Sequence, residues 1–181
     1  LMDSAYLYNE GDSALISGDA QNRVIPNVGQ RGDTGKFVSA AGIKIDKSDQ
    51  DMLAPAIEQM AYFGLTNQKT GLPLKVITRS ANDANALANE AATINSIVGY
   101  ALSLSEQSAT IIANDNISAN YGLLTLMQVF DAQHGRFPIT EIADSPRFEF
   151  RGMHLDIARH FPGKAAIESV VRQMFTYKLN K

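Results

Sequence analysis

Cysteine and tryptophan are both absent from the 181-residue chain. Without a thiol there is no disulfide, no thiolate-held metal and no cysteine nucleophile; without tryptophan the strongest stacking platform for a sugar ring is missing. Charge of one sign is lacking too. Sixteen basic against nineteen acidic side chains leave a net −3, spread without long runs, so there is no electrostatic footprint for nucleic acid or an anionic membrane. No apolar run approaches the roughly 20 residues that span a bilayer, and the opening "LMDSAYLYNEGDSAL" has neither the basic nor the apolar region of a secretion signal. The length nevertheless suffices for a real core without a metal or crosslink to hold it.

Several nucleotide and hydrolase motifs are missing. "GQRGDTGKF" approaches a phosphate loop, but Gln30 stands where the first glycine is required and Phe37 replaces the magnesium-binding hydroxyl. No Gly-x-Ser-x-Gly elbow exists, and His154, Asp156 and His160 lack a zinc spacing, so they are read as hydrogen-bonding groups; no metal and no cofactor is expected. Arg31-Gly32-Asp33 and Asn116-Ile117-Ser118 are short enough to arise by chance and are given no function.

What is present alternates. "YALSLSEQSATIIAN" sets Tyr100, Leu102 and Leu104 against Ala101, Ser103 and Ser105, which indicates mostly antiparallel strands with one wet face. "KFVSAAGIKI" suggests a strand or hairpin and "LPLKVITR" another strand, while Pro26 confines "RVIPNV" to an edge. "SDQDMLAPAIEQMAYFG" places Leu53, Ile57, Met60 and Ala61 on one helical face, with Ser48 or Asp51 as cap, Pro55 near the first turn and Gly64 at the stop. A second helix carries Leu123, Leu126, Met127 and Phe130 as one stripe. Between the strands, "SANDANALANEAATINSIVG" reads as a surface insertion. The expected fold is α+β: residues 1–23 a linker or the end of a preceding domain, and 24–145 an antiparallel sheet with two helices on one face.

From residue 146 the pattern changes. "PRFEFRGMHLDIARHF" alternates apolar residues with Arg147, Glu149, Arg151, His154, Asp156, Arg159 and His160. A strand here, followed by Pro162 and a helix with Ile167, Val170, Val171 and Met174 on one face, is the opening unit of a parallel α/β arrangement. Arg147, Glu149, Asp156 and Arg159 are read as ion pairs pinning a domain junction, because buried charges need partners. Arg151, flanked by Phe150 and Gly152, is instead a rigid fork of donors suited to gripping hydroxyls.

These residues carry a resemblance. Asp144, Pro146, Arg147, Phe148, Arg151, Gly152, Leu155, Asp156, Arg159, His160 and Phe161, with Lys178, Leu179 and Asn180 a helix later, resemble the opening of the catalytic barrel of family 20 glycoside hydrolases, the β-N-acetylhexosaminidases and chitobiases. The likeness covers residues 24–181 and weakens toward the start. It implies that 146–181 is the first strand–helix unit of a truncated (β/α)8 barrel. It also implies that Arg151 binds hydroxyls of a terminal N-acetylhexosamine, and that the acid/base glutamate and its neighbouring aspartate lie on a later strand. The implied parent hydrolyses terminal N-acetylhexosamine by substrate-assisted, retaining chemistry. Its partners are then an N-acetylhexosamine-containing oligosaccharide and the remainder of the barrel, not nucleic acid or metal. Both ends read as cut, so the 181 residues are expected to be inert on their own, with no catalytic residue among them. The alternative is a non-catalytic carbohydrate-binding or assembly module. The residues leave compartment open, with a periplasmic, cell-surface or secreted location favoured over the cytoplasm.

Overall fold

A computed structural model describes Val24 and residues 28–78, 99–159 and 161–181. The insertion read at 80–99, apart from Gly99, the linker at 1–23 and Pro26 lie outside these residues. Six strands form one sheet: β1 (Gln30–Ser39), β2 (Ile43–Ile45), β3 (Leu72–Thr78), β4 (Tyr100–Leu104), β5 (Ala109–Ala113) and β6 (Arg136–Asp144), in spatial order β1-β6-β4-β5-β3-β2. Three of its five pairings, β1–β6, β6–β4 and β4–β5, are antiparallel, as the alternation indicated, while β2–β3 and β3–β5 run parallel. The parallel pair forms because "KFVSAAGIKI" is not a hairpin: β1 and β2 lie at opposite edges, and the chain reaches β3 from β2 through a helix.

Three residues, 40–42, join those two edges. Four Cα steps reach at most about 15 Å, whereas a flat six-stranded sheet is about 24 Å wide, so the sheet must coil to bring its edges together. Close backbone approach accompanies this: a Cβ on Gly71 would lie 2.5 Å from the carbonyl carbon of Ile43, at the start of the β2–β3 pairing. β1 breaks its register with β6 between Asp33 and Phe37, where Gly35 adopts φ 73°. Within that strand Arg31 and Asp33 bind each other, Nε to Oδ2 at 2.8 Å.

Helix α1 (Lys47–Ile57) starts earlier than Ser48 or Asp51 would set it, with Asp46 at the N-cap position. Pro55 consequently sits in the third turn, not the first; the carbonyl it deprives of a donor belongs to exposed Asp51, where water can substitute. A 3₁₀ turn, Met60–Phe63, ends at Gly64 in the left-handed conformation. Helix α2 (Asn116–Val129) is capped by Asp115, whose carboxylate accepts the Ser118 N–H at 2.6 Å. Leu123, Leu126, Met127 and Phe130 are buried as expected, but so are Ser118 to Val129 throughout. One face packs on β4 and β5, where Gly122 lets the helix approach so closely that a Cβ would meet Ile111 Cγ2 at 2.8 Å. The opposite side meets α1, where Asn120 receives the Ala56 N–H and donates to the Met52 carbonyl.

Asp131 anchors the turn into β6. Its carboxylate accepts from Arg136 Nε at 3.0 Å and contacts His134 Nδ1 at 2.7 Å. Burial pushes its pKa up, yet these hydrogen bonds and the His134 charge prevail and lower it. A depressed carboxylate contributes stability that is present above its unfolded pKa, about 3.9, and lost as pH falls through the folded value. Asp131→Asn is therefore expected to flatten the acid side of a urea-midpoint-versus-pH curve below pH 5 while leaving its slope near pH 7 unchanged.

After β6 the described residues of 145–163 form no regular structure, and α3 (Lys164–Thr176) follows. The strand expected in "RFEFRGMHLD" is not formed: among the described residues this stretch pairs only through two backbone bonds with Lys181, and an alternating segment becomes a strand only where a neighbour supplies its bonds. No helix of the described residues is long and apolar enough to cross a membrane.

Candidate functional site

The C-terminal segment meets the α+β layer around the ammonium of Lys178, which is 4% exposed. Its Nζ donates to Tyr100 Oη at 2.7 Å and to Asp144 Oδ2 at 3.0 Å. Tyr100 also shares a hydrogen bond with Thr125 of α2. Three elements thus converge: β4 brings the phenol, the end of β6 the carboxylate, and the turn after α3 the lysine. Burial lowers the Lys178 pKa, an effect the Asp144 charge opposes, and burial together with that same carboxylate raises Tyr100 well above its ordinary value. The phenol stays protonated and able to donate.

Arg151 sits beside this cluster. Nε donates to the Lys178 carbonyl at 2.8 Å, Nη1 to the Phe148 carbonyl at 2.6 Å, and Nη2 reaches Tyr121 Oη at 3.4 Å. Its backbone is held as well, for the Arg151 N–H donates to Asn180 Oδ1 and the Arg151 carbonyl receives the Asn180 N–H. Tyr100, Tyr121, Asp144, Phe148, Arg151 and Lys178 help line a cavity of about 100 Å³, well short of the 300 Å³ or more that a small-molecule pocket provides.

One rung of pairing is present. The Lys181 N–H donates to the Arg151 carbonyl at 3.2 Å and the Met153 N–H to the Lys181 carbonyl at 3.1 Å, the two bonds by which parallel strands bracket one residue, here Gly152. Past it, Phe148, Phe150, Met153, Leu155, Ile157 and Phe161 remain exposed. On α3 the expected apolar face is partly realised: Ile167, Val170 and Met174 are half-buried and Val171 is exposed.

The other charges separate into two groups. Asp156 accepts from the Ala158 and Arg159 N–H groups and pairs with the Arg159 guanidinium, closing a local turn. Arg147 and Glu149 are exposed and do not pin the junction as the sequence suggested; the buried pair there is Asp144 with Lys178. Sequence reasoning assigned Lys178 no role, since a lysine after a helix is ordinarily a solvated residue, and only its place in the resemblance marked it. His160 lies outside the described residues, and no group of His, Cys, Asp or Glu among those described is arranged to hold a metal.

The fold is shared with solved family 20 hydrolases. The exo-β-N-acetylglucosaminidase of Vibrio harveyi, solved with N-acetylglucosamine, superposes with a TM-score of 0.65 at 25% identity, over 90% of this chain and 25% of that one. Residues 21–145 match the model for "Glycosyl hydrolase family 20, domain 2" and residues 148–181 that for the family's catalytic domain. The chain belongs to glycosyl hydrolase family 20. It is 31% identical over 184 residues to beta-hexosaminidase B of Pseudoalteromonas piscicida, covering 99% of this chain. To the N,N'-diacetylchitobiase of Vibrio harveyi it is 31% identical over 149 residues, covering 81%. It spans only 22% and 16% of those relatives' own lengths.

Proposed function

We propose that residues 24–145 are the non-catalytic layer, and residues 146–181 the first strand–helix unit, of an exo-β-N-acetylhexosaminidase that removes terminal N-acetylhexosamine with retention of configuration. The observation that carries this is the parallel rung between Gly152 and Lys181, reached through α3. Parallel neighbours need such a crossover, and a β/α barrel repeats it. The exposed apolar residues from Phe148 to Phe161 support the same reading, since an unpaired barrel stave would keep them for its neighbours.

Arg151 is given a different task from the one the resemblance implied. Three of its donors are spent on protein oxygens beside a cavity too small for a hexosamine. Barrel active sites lie at the C-terminal ends of the strands, and Arg151 stands at the start of this one. Asp156 and Arg159 stand past its other end, with the Arg159 side chain 88% exposed. The hydroxyl-gripping guanidinium of this reading is Arg159, aimed by Asp156, and Arg151 holds the junction. The gene product carrying this segment is expected to release N-acetylglucosamine from a terminal β-linked chromogenic substrate, with the β-anomer formed first by proton NMR; the 181 residues alone give no turnover. Initial release of the α-anomer, or no release by the gene product, contradicts the proposal. Arg159→Ala should lower kcat/KM about 10- to 100-fold, the loss of one charge-assisted hydrogen bond, and leave the melting temperature near wild type.

A further inference from the structure

Helix α3 ends in a turn where glycine is the usual residue. The Lys178 N–H donates to the Phe175 carbonyl and the Leu179 N–H to the Met174 carbonyl, both at 2.8 Å, with Lys178 at φ 59°. That pair of bonds is the Schellman stop, whose left-handed position glycine occupies at least steric cost. A lysine there is unfavourable for the turn itself, so its side chain must supply a compensating interaction. The side chain is buried, with Nζ on Tyr100 and Asp144 of the α+β layer, while the carbonyl of the same residue receives Arg151 Nε.

We propose that Lys178 is the positioning residue of the segment. Its ammonium, seated in the α+β layer, fixes its carbonyl as the acceptor for Arg151, and Arg151 then places the extended residues 148–157 and their rung with Lys181. The sequence of contacts is continuous: Arg151 Nε to the Lys178 carbonyl, the Arg151 carbonyl to the Asn180 and Lys181 N–H groups, and Asn180 Nδ2 to the Glu149 carbonyl. The non-catalytic layer thereby aims the strand at whose far end Asp156 and Arg159 lie. The inference rests on the proposed function only in this last respect, because the reading of the segment as a barrel strand is what makes its aim matter to a sugar.

The test uses the 181-residue chain without substrate. The Arg151 Nε–H resonance is assigned by its loss in Arg151→Lys, and amide exchange is followed at Met153, Asn180 and Lys181, with the amides of β4 and β5 as reference. Lys178→Met keeps the apolar stem and removes the charge; Lys178→Gly keeps the left-handed turn and removes the whole side chain. Both are expected to move the Arg151 Nε–H resonance toward that of free arginine and to speed exchange at the three amides about tenfold or more, with the reference amides unchanged. If Lys178→Gly keeps the wild-type resonance, the turn alone orients the carbonyl and the proposal is overturned; it is overturned equally if neither variant alters Arg151. If all amides speed together, the fold itself has gone, and Tyr100→Phe decides: it removes one acceptor of the ammonium and leaves Asp144. A shift confined to Arg151 and the three amides then supports the proposal, and an unshifted Arg151 ends it. An inactive gene product would leave this result standing, and failure here would leave the hexosaminidase reading intact.

Discussion

Asp144→Ala is expected to destabilise the chain by about 3–5 kcal/mol, the cost of leaving one member of a buried ion pair without its partner. Lys178 is only 4% exposed, and Tyr100, its other acceptor, carries no charge to replace the carboxylate. The loss should depend on pH. With Asp144 gone, burial acts unopposed on Lys178, whose pKa it already lowers. A lysine depressed in the folded state binds fewer protons there than when unfolded, so the variant regains stability as pH rises from 6 toward 10. Lys178→Met should cost less, since Asp144 keeps its bonds from the Tyr100 hydroxyl and the Gly29 N–H. Urea unfolding of the three proteins at pH 6 and 9 measures all of this; equal losses at both pH values would show that the pair is not ionic.

Phe137→Ala is expected to cost about 3–5 kcal/mol as well, for a different reason. Phe137 is fully buried, pairs across the strands with Val38, and packs against Phe130 with ring centroids 4.6 Å apart. It lies near the point where β1 and β6 run past the other strands, and α2 ends beside it at Phe130. Truncation opens a cavity that three elements would have to move together to fill. The melting temperature should fall by about 10 °C, with no pH dependence, which separates it from the Asp144 variant.

The alternation in β4 and the stripe on α2 were legible because both are local periodicities imposed by the backbone, and the structure buries Tyr100, Leu102, Leu104, Leu123, Leu126 and Met127 accordingly. The parallel seam was not. Ile43–Ile45 is a three-residue strand, too short for a period, and its pairing depends on Gly71 admitting the Ile43 backbone, a contact between distant parts of the chain. The stretch 146–157 failed for a related reason, since its pattern is that of a strand but pairing is a property of neighbours. The junction was half legible. Its charge was evident, but not its members, because the decisive residue is a lysine whose left-handed backbone turns it inward.

From Ser118 to Val129 helix α2 is buried on every side. Gly122 and Thr125 meet the sheet at Ile111 and Tyr100, Asn120 serves α1, and Tyr121 and Gln128 reach the C-terminal segment through Arg151, Phe175 and the Thr176 carbonyl. A wall shared by two rooms cannot be taken down for one of them alone. Melting followed by helical circular dichroism and by tyrosine absorbance should therefore give a single coincident transition, although the chain matches two family models.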